Sequence, residues 1–297
     1  MKTILITGAT GFLGSHLTEQ FLKDRYKVII LKRSYSNIWG IKDFIKDIIF
    51  YDIDRIDLET VFKENKIDFI VHTATLYGRK NERISEIVKA NLNFPLEILE
   101  LAVKFNIKYF INTDTTLPKN TNSYSLSKYQ FKEWLFLFSD KLKVLNIKLE
   151  HFYGEKDDKT KFVIWIIEQL TNNVKEIKLT QGEQKRDFIY IEDVKTFYSF
   201  LLQSIENFGN GFYEYEIGSG KATTIKELVL KIKELTGNTE TNLNFGAIPY
   251  RKNEIMFSQA DISKAKKDFG WEPKYSLEKG LKRTINWYRG IINEKTI

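Results

Sequence analysis

The feature that most constrains the fold of this chain is a glycine-rich turn that directly follows an apolar run at its start. The stretch reads "TILITGATGFLGSHL" and places Gly8, Gly11 and Gly14 at intervals of three residues. The apolar run predicts a buried strand, and the spacing after Gly14 predicts a helix. A strand, a glycine turn and a helix in this order favour a parallel sheet whose helix N-terminus binds the pyrophosphate of a dinucleotide. The spacing is G-x-x-G-x-x-G rather than the dinucleotide-binding fingerprint G-x-G-x-x-G. The prediction therefore rests on the strand before the motif and the helix after it more than on the motif itself.

The same alternation of apolar runs and helical periods continues through the first half of the chain. The runs are "KVIIL", "IIFYDI", "DFIVHTA", "KYFINT" and "KVLNIKLE". Their continuous Ile, Val and Phe content is typical of strands buried on both faces. We therefore predict an α/β fold, a Rossmann-type doubly wound parallel sheet followed by a smaller C-terminal α/β lobe. The predicted cofactor-binding domain covers residues 1–150 with a return segment near 187–215, and the lobe that mainly binds substrate covers residues 151–297.

Two helical predictions bear on the candidate site. Residues 82–105 predict one or two helices interrupted at Pro95, because proline lacks the amide hydrogen that a continuous helix needs. Residues 123–142 predict a single helix after the strand "KYFINT".

Composition excludes several kinds of chemistry. The chain has no cysteine, which excludes disulfides, thiolate catalysis and cysteine-bound zinc. The three histidines, His16, His72 and His151, are far apart and lack metal-ligand spacing, so we predict no metal site.

Charge and hydropathy favour a cytoplasmic protein that binds neither nucleic acid nor a membrane. The net charge is +7, but the lysines are scattered and paired with glutamates, as in "IKELVLKIKELTG". This pattern suits anionic small molecules better than nucleic acid. No segment approaches about 18 consecutive apolar residues, and the first strand leads into a glycine loop rather than a signal-peptide core.

The end of the second predicted strand bears on which cofactor binds. Folds that bind NAD usually place Asp or Glu there to hold the ribose 2′-hydroxyl. This chain has Lys32, Arg33 and Ser34 instead. An arginine offers a 2′-phosphate charge-assisted hydrogen bonds, so we predict NADP(H). Asp52 and Ile53, which end the third strand, are candidates to hold the adenine edge.

The stretch "FINTDTTLPKNTNSYSLSK" carries the candidate catalytic groups. Tyr124 and Lys128 are four residues apart and lie on one helical face. A phenol has a pKa of about 10, and an adjacent ammonium is expected to lower that pKa and make Tyr124 a general acid or base. Thr113 is expected to hydrogen-bond the same substrate oxygen. This set suits the interconversion of a carbonyl and an alcohol.

At this point the sequence resembles the extended short-chain dehydrogenase/reductase family, whose members mostly act on nucleotide sugars. The resemblance spans nearly the whole chain and rests on "TGATGFLGSHL", "HTAT", "YSLSK", "FYG", "GEQKRDFIYIEDV" and "NEIMFSQADISKAKKDFGWEP". It implies that Thr113, Tyr124 and Lys128 are the catalytic residues and that Lys128 also holds the nicotinamide ribose. It further implies a homodimer formed through the helix of Tyr124 and the long helix before it.

The resemblance also implies two sets of contact residues. The cofactor set is Gly8, Thr10, Gly11, Phe12, Leu13, Gly14, Lys32, Arg33, Ser34, Asp52, Ile53, Ala74 and Lys128. The substrate set is Thr75, Asp114, Thr115, Phe162, Arg186 and Arg251, of which the two arginines are expected to bind the nucleotide diphosphate.

The residues after Thr113 distinguish between reactions of the family. Its 4,6-dehydratases carry Thr-Asp-Glu, in which the glutamate is the base, whereas this chain has Asp114 followed by Thr115. A threonine does not abstract a carbon-bound proton at neutral pH, so dehydration is disfavoured. The predicted function is NADPH-dependent reduction of the C4 ketone of a nucleotide-linked 6-deoxy or 3,6-dideoxy hexose, for surface-polysaccharide synthesis. The alternatives are a nucleotide-sugar 4-epimerase with tightly bound NAD and an NADP-sensing regulatory protein on the same fold.

Overall fold

The computed structural model describes residues 1–294 and divides into two compact units. The first unit contains Met1–Leu149 and Phe197–Tyr215. The second contains Glu150–Thr196 and the described residues from Glu216 onward. The chain therefore leaves the first unit and returns to it before it completes the second.

A seven-stranded sheet forms the centre of the first unit. Its strands are β1 Thr3–Thr7, β2 Lys27–Lys32, β3 Ile49–Asp52, β4 Phe69–His72, β5 Tyr109–Thr115, β6 Lys143–Leu149 and, across the unit boundary, β10 Gly211–Ile217. The strand order is β10-β6-β5-β4-β1-β2-β3, and every pairing among β1 to β6 is parallel. The order reverses at β1, so the carboxyl ends of β1 and β4 flank the point where a doubly wound sheet binds its ligand. The predicted fold class is confirmed.

Helices join these strands, as the sequence predicts. They are α1 Phe12–Lys23, α2 Leu58–Glu64, α3 Ile84–Val88, α4 Phe94–Lys104, α5 Ser123–Leu137 and α7 Ile191–Ser204. Phe131 and Leu135 of α5 are fully buried in one cluster with Phe110 of β5. Burying side chains of this size contributes about 1.5–3 kcal/mol each. This packing fixes α5 against β5, the two elements that carry the candidate catalytic residues.

Two helix boundaries differ from prediction. The segment around Pro95 is not interrupted, because Lys89–Asn93 forms a π-helical turn between α3 and α4. Pro95 lies in the first turn of α4, and its missing amide hydrogen is accommodated by the wider turn before it. The helix predicted over residues 123–142 ends at Leu137, where the Ser139 hydroxyl donates to the Phe136 carbonyl.

Smaller sheets build the second unit. Its strands are β7 His151–Tyr153, β8 Glu176–Leu179, β9 Lys185–Tyr190, β11 Ala222–Thr224 and β12 Asn242–Phe245. They form the sheets β11-β9-β7 and β12-β8. Its helices are α6 Phe162–Thr171, α8 Ile225–Thr236, α9 Ser263–Phe269 and α10 Leu277–Glu294, together with the start of α7. Within residues 1–294, no helix combines the length and the apolar character that crossing a membrane requires.

Candidate active site

The glycine loop is packed so closely against the sheet that side chains are excluded at two positions. Gly8 has a φ of 72°, and a Cβ there would lie 2.6 Å from the backbone nitrogen of Ala74. A Cβ on Gly14 would lie 2.1 Å from the carbonyl oxygen of Gly8. At Gly11, by contrast, an added Cβ would meet only that same oxygen, at 3.3 Å. The loop therefore leaves backbone exposed at Gly11, next to the N-terminus of α1, where a ligand phosphate can approach.

The remaining residues predicted for the loop lie in and after this turn. Thr10 precedes Gly11, whereas Phe12 and Leu13 form the first turn of α1. The hydroxyl of Thr7 accepts the Ala74 amide at 3.3 Å, which ties the end of β4 to the end of β1.

The predicted 2′-phosphate residues lie at the end of β2, but two of them have an acidic neighbour. The Ser34 hydroxyl donates to the Asp52 carboxylate at 2.8 Å, and Lys32 Nζ lies 3.7 Å from the same carboxylate. The Arg33 guanidinium donates to the Tyr35 hydroxyl at 2.5 Å and stacks over that ring. Arg33 therefore differs from Lys32, whose charge is paired with a carboxylate.

Asp52, which is predicted to hold the adenine edge, lies in a polar cluster. The Ser34 hydrogen bond, with Lys32 and Arg55 nearby, lowers the pKa of its carboxyl group. Ile53 follows it, and the Ile53 amide donates to the Lys32 carbonyl at 3.0 Å. The structure thus brings Lys32, Ser34, Asp52 and Ile53 together at one edge of the sheet.

Helix α5 is positioned by a capping box at its N-terminus. The Asn122 side chain accepts the Ser125 amide at 2.8 Å, and the Ser125 hydroxyl accepts the Asn122 amide at 3.1 Å. This reciprocal pair fixes the start of α5 and therefore the position of Tyr124 in its first turn. Tyr124 and Lys128 are both buried, with 9% and 2% of their surfaces exposed.

The surroundings of Tyr124 differ from the expectation that Lys128 lowers its pKa. Burial raises the pKa of Tyr124 well above its ordinary value, and Tyr77 and Asp114 raise it further. Burial also lowers the pKa of Lys128, an effect that the Asp114 carboxylate opposes. In the protein alone, Tyr124 is therefore a protonated phenol rather than a phenolate stabilised by its helical neighbour.

The two threonines of β5 have different partners. The Thr113 hydroxyl lies 2.6 Å from the Tyr198 hydroxyl of α7, a residue that the sequence analysis did not select. The Thr115 side chain, not that of Thr113, is in hydrogen-bonding contact with Tyr124, and it lowers the Tyr124 pKa. The hydroxyl predicted to assist the tyrosine is thus engaged by Tyr198, and Thr115 is the threonine beside the phenol.

Asp114 belongs to a buried polar chain across β5, β6 and β10. The Asn112 amide donates to Asn146 at 2.7 Å, and the Asn146 amide donates to Asp114 at 2.9 Å and to Glu214 at 2.8 Å. The Thr115 backbone amide donates to the other Asp114 oxygen at 2.8 Å. These bonds hold the carboxylate in place, and its charge raises the pKa of both Lys128 and Tyr124 on α5.

The loop of residues 75–80 after β4, called here the 75–80 loop, lies against α5. Buried Asn91, in the π-helical turn, accepts the Leu76 amide at 2.7 Å and donates to the Leu76 carbonyl at 2.9 Å. It also contacts the hydroxyls of Thr75 at 3.2 Å and Ser127 at 3.1 Å. Asn91 therefore joins the 75–80 loop, the π-helical turn and α5, a role that the sequence did not predict.

Two residues of the 75–80 loop also escaped the sequence analysis. The Tyr77 ring packs on the Tyr124 ring with centroids 5.0 Å apart, and the Arg79 guanidinium lies 4.7 Å from the Tyr77 ring centroid. Between them Gly78 has a φ of 71°, a conformation that favours glycine. The turn at Gly78 places both side chains beside the candidate proton donor.

Three predicted substrate residues belong to the second unit. Arg186 of β9 is buried and pairs with Glu254 at 2.7 Å. Arg251 is exposed, and its backbone carbonyl accepts the Glu254 amide at 3.0 Å. Phe162 begins α6, half-buried, with its ring 6.2 Å from that of Trp165. Glu254 therefore contacts both predicted arginines, Arg186 through its side chain and Arg251 through its backbone amide.

His72 is buried in the first unit and its surroundings argue against a charged role. Its Nδ1 lies 2.7 Å from the Thr7 hydroxyl, and its ring packs among Phe94, Phe110 and Phe131. Burial, together with the charge of Lys128, holds its pKa well below the ordinary value. Among the described residues, no group of three or more His, Asp or Glu side chains is arranged to hold a metal ion.

Comparison with known proteins identifies the family of this chain. The chain belongs to the NAD dependent epimerase/dehydratase family, whose model matches residues 4–218. The span includes the glycine loop, the strand of Thr113 and the helix of Tyr124, so the family resemblance seen in the sequence is confirmed.

Individual relatives cover almost the whole chain. A CDP-abequose synthase of Salmonella muenchen is 37% identical over 96% of this chain and 97% of that protein. A CDP-abequose synthase of Salmonella typhimurium is 31% identical over 95% of this chain and 97% of that protein. The segments "TLYGRK", "LEHFYG" and "FGAIPYRKNEIMFS" also resemble that enzyme. A UDP-glucose 4-epimerase of Thermotoga maritima, solved with UDP-glucose, has a TM-score of 0.85 and 26% identity, covering 98% of this chain and 99% of that one.

Proposed function

We propose that this protein uses NADPH to reduce the C4 ketone of a nucleotide-linked 4-keto-6-deoxy or 4-keto-3,6-dideoxy hexose, with CDP as the nucleotide. The observation that carries the proposal is the position of Tyr124, a buried phenol in the first turn of α5 that Thr115 contacts through a hydrogen bond. A phenol is protonated at neutral pH, and a hydrogen bond to its oxygen stabilises the phenolate that remains after the proton passes to a ketone oxygen. The similarity to two CDP-abequose synthases supports CDP as the nucleotide.

The residues at the switch point of the sheet fit a dinucleotide. The glycine loop excludes its own side chains and exposes backbone at Gly11, which suits a pyrophosphate at the start of α1. Arg33, and to a lesser degree the paired Lys32, supports binding of a 2′-phosphate. Lys128, in this proposal, holds the nicotinamide ribose. When bound, NADPH supplies the hydride that reduces the ketone carbon.

The chain's own residues then manage the proton. Tyr124 donates its hydroxyl proton to the ketone oxygen, and Thr115 stabilises the resulting phenolate through its hydrogen-bonding contact. Thr113, oriented by Tyr198, polarises the same ketone oxygen. Asp114 accepts one hydrogen bond on each oxygen, from Asn146 and from the Thr115 amide, and its remaining lone pairs position a substrate hydroxyl.

The direct test is nicotinamide absorbance. Purified protein is mixed with NADPH and with CDP-, dTDP- and GDP-linked 4-keto-6-deoxy sugars, with and without deoxygenation at C3. We expect oxidation of NADPH and the highest kcat/KM for a CDP-linked substrate, and NMR of the product identifies the configuration at C4. Absence of NADPH oxidation with all of these sugars would overturn the proposal.

A nucleotide-sugar 4-epimerase is the second candidate, favoured by the similarity to the Thermotoga maritima enzyme. An epimerase of this kind retains NAD through each turnover and needs no added reductant. The two functions separate in one measurement, namely the cofactor released when the purified protein is denatured. Near-stoichiometric NAD, with interconversion of C4 epimers in the absence of NADPH, would replace the reductase proposal.

We also propose that the protein is a cytoplasmic homodimer whose two chains contact each other through α5. A groove of about 520 Å³ lies along this helix, lined by Leu92, Lys119, Asn120, Leu126, Tyr129, Gln130, Glu133 and Trp134. Leu126 and Trp134 are more than two-fifths exposed, which is unusual for large apolar side chains so close together. Light scattering after gel filtration should report twice the chain mass, and Trp134→Glu should halve it.

A further inference from the structure

The proton donor Tyr124 is covered by an aromatic ring that carries a cation. The Tyr77 ring packs on the Tyr124 ring at 5.0 Å with an interplanar angle of 43°. The Arg79 guanidinium lies 4.7 Å from the centroid of the Tyr77 ring. This distance is typical of a cation–π contact.

Hydrogen bonds and a tight turn support this stack. Asn91 accepts and donates hydrogen bonds with the Leu76 backbone and reaches Ser127 on α5, the helix of Tyr124. The turn at Gly78 is fixed in the left-handed region, and a Cβ there would lie 2.8 Å from Ile87. The loop therefore holds Tyr77 and Arg79 in one arrangement relative to Tyr124.

We propose that Arg79, held over the Tyr77 ring, is a positioning residue that stabilises the negative charge Tyr124 acquires when it gives up its proton. This inference rests on the proposed role of Tyr124. As the ketone carbon accepts a hydride from NADPH, the C–O π bond breaks and the oxygen takes the proton of Tyr124. The products are an alcohol, oxidised cofactor and a phenolate on Tyr124, which solvent later reprotonates.

Such a phenolate is costly at this position. Charged or titratable groups face Tyr124 from each neighbouring element: Tyr77 and Arg79 from the 75–80 loop, Asp114 and the hydroxyl of Thr115 from β5, and Lys128 from α5. Burial, Tyr77 and Asp114 oppose the charge, whereas Thr115 and Arg79 favour it. Lys128 has its own pKa lowered by burial, but a guanidinium stays charged at any physiological pH. Arg79 is thus a permanent cation at the site.

The experiment compares Arg79→Gln with Arg79→Lys and with the matched control Lys80→Gln. Lys80 is the next cation of the same exposed loop, and its backbone amide donates to Glu82. In each full-length variant a fluorinated tyrosine with a more acidic phenol replaces Tyr124, and fluorine NMR follows its ionisation against pH. This readout requires no substrate, so it remains informative even if the proposed reductase activity fails.

We expect Arg79→Gln to raise the ionisation midpoint by about 0.5 to 1 pH unit, since an exposed charge is partly screened by solvent. Arg79→Lys should recover part of the shift, and Lys80→Gln should move the midpoint by less than about 0.2 units. Tyr77→Phe keeps the ring under Arg79 and removes the phenol that opposes the charge, so its midpoint should not rise above that of the parent protein. Equal midpoints for Arg79→Gln and Lys80→Gln would overturn the proposal.

Steady-state kinetics gives a second discrimination once a substrate is found. Stabilisation of the phenolate predicts that Arg79→Gln lowers kcat about three- to tenfold with little change in KM. A raised KM with unchanged kcat and an unchanged midpoint would assign Arg79 to substrate binding and overturn the inference. Inactivity of the parent protein with every 4-keto sugar would overturn the proposed function, while the NMR midpoints would still decide the role of Arg79.

Discussion

Buried polar side chains serve different purposes in the two units of this protein. In the first unit they gather at the carboxyl ends of parallel strands, as Asp114, Tyr124 and Lys128 do. In the second unit, buried Asp187 accepts the amides of Ser219, Gly220 and Ala260. Asp193 likewise accepts the amides of Lys274 and Tyr275 at 2.8 and 3.0 Å.

The cause of the difference is the regularity of the backbone. A large parallel sheet with its helices satisfies most of its own backbone groups, which leaves side chains free for chemistry. The second unit has small sheets and long irregular stretches, whose buried amides need other acceptors. Burial raises the pKa of both Asp187 and Asp193, as it does for many catalytic acids. A raised pKa therefore marks burial, and only the partners of a group distinguish catalysis from support.

The largest expected effect tests the first unit. Tyr124→Phe removes the proposed proton donor but keeps the ring that packs on Tyr77. We expect kcat to fall about 1000-fold, while NADPH affinity and the melting temperature change little. Stopped-flow kinetics and NADPH titration by fluorescence measure the two quantities. An active Tyr124→Phe protein would refute the proton-donor role.

The next effect tests the second unit. Asp187→Ala leaves the backbone amides of Ser219, Gly220 and Ala260 without their acceptor. We expect a loss of about 3 kcal/mol in the free energy of unfolding, measured by urea denaturation. Asp261→Ala is the control, because that exposed carboxylate accepts local bonds from Ser263, and its loss should cost far less than the loss of Asp187. Similar losses for both variants would contradict the supporting role of Asp187.

A smaller effect concerns cofactor selection at the edge of the first unit. Arg33→Gln should weaken NADPH binding about 10- to 100-fold and leave NADH binding unchanged, because only NADPH carries the 2′-phosphate. Lys32→Gln should have a weaker effect, since Lys32 is already paired with Asp52. Isothermal titration with both cofactors measures the ratio. Equal loss of NADH affinity on Arg33→Gln would show that the side chain does not read the phosphate.

The smallest effect is the pH dependence of stability in the second unit. The lysine-rich stretch "GEKDDKTK" predicts solvated carboxylates, and this prediction is wrong for Asp157, which is 5% exposed. Burial raises its pKa to about 6, although Lys161 lies 2.9 Å away. Since the folded pKa exceeds the unfolded one, the stabilising contribution is complete below about pH 4 and is lost as the pH rises through 6.

Asp157→Asn should therefore remove this loss. We expect the variant to gain about 1 to 2 kcal/mol relative to the parent protein between pH 4 and pH 7, measured by urea unfolding across that range. Asp158→Asn removes the adjacent, exposed charge, which contributes to the raised pKa of Asp157 far less than burial does, so the pH dependence should change much less. If the two variants behave alike, the carboxyl group of Asp157 does not titrate as its burial requires.

The sequence was most informative where backbone geometry decides the structure. Gly8 and Gly14 are required by contacts of the backbone with itself, and such positions are readable as a motif. The strands of the parallel sheet were readable because burial on both faces leaves long apolar runs. The partners of Thr113 and Asp114 could not be predicted, because Tyr198 and Asn146 are distant from them in the chain. Tyr77 and Arg79 escaped because their position depends on the turn at Gly78 and on the anchor at Asn91.

The hydrogen bond between Thr113 and Tyr198 has a consequence for the synthesis of this chain. The first unit is interrupted after Leu149, and its remaining segment begins at Phe197. At about 5–20 residues per second, a ribosome needs several seconds to add the intervening residues. During that interval β6 lacks its neighbour β10, and the hydroxyl of Thr113 lacks its partner. The nascent protein must therefore protect an open sheet edge until the return segment emerges, so a translational pause between residues 149 and 197 should lower the yield of folded enzyme.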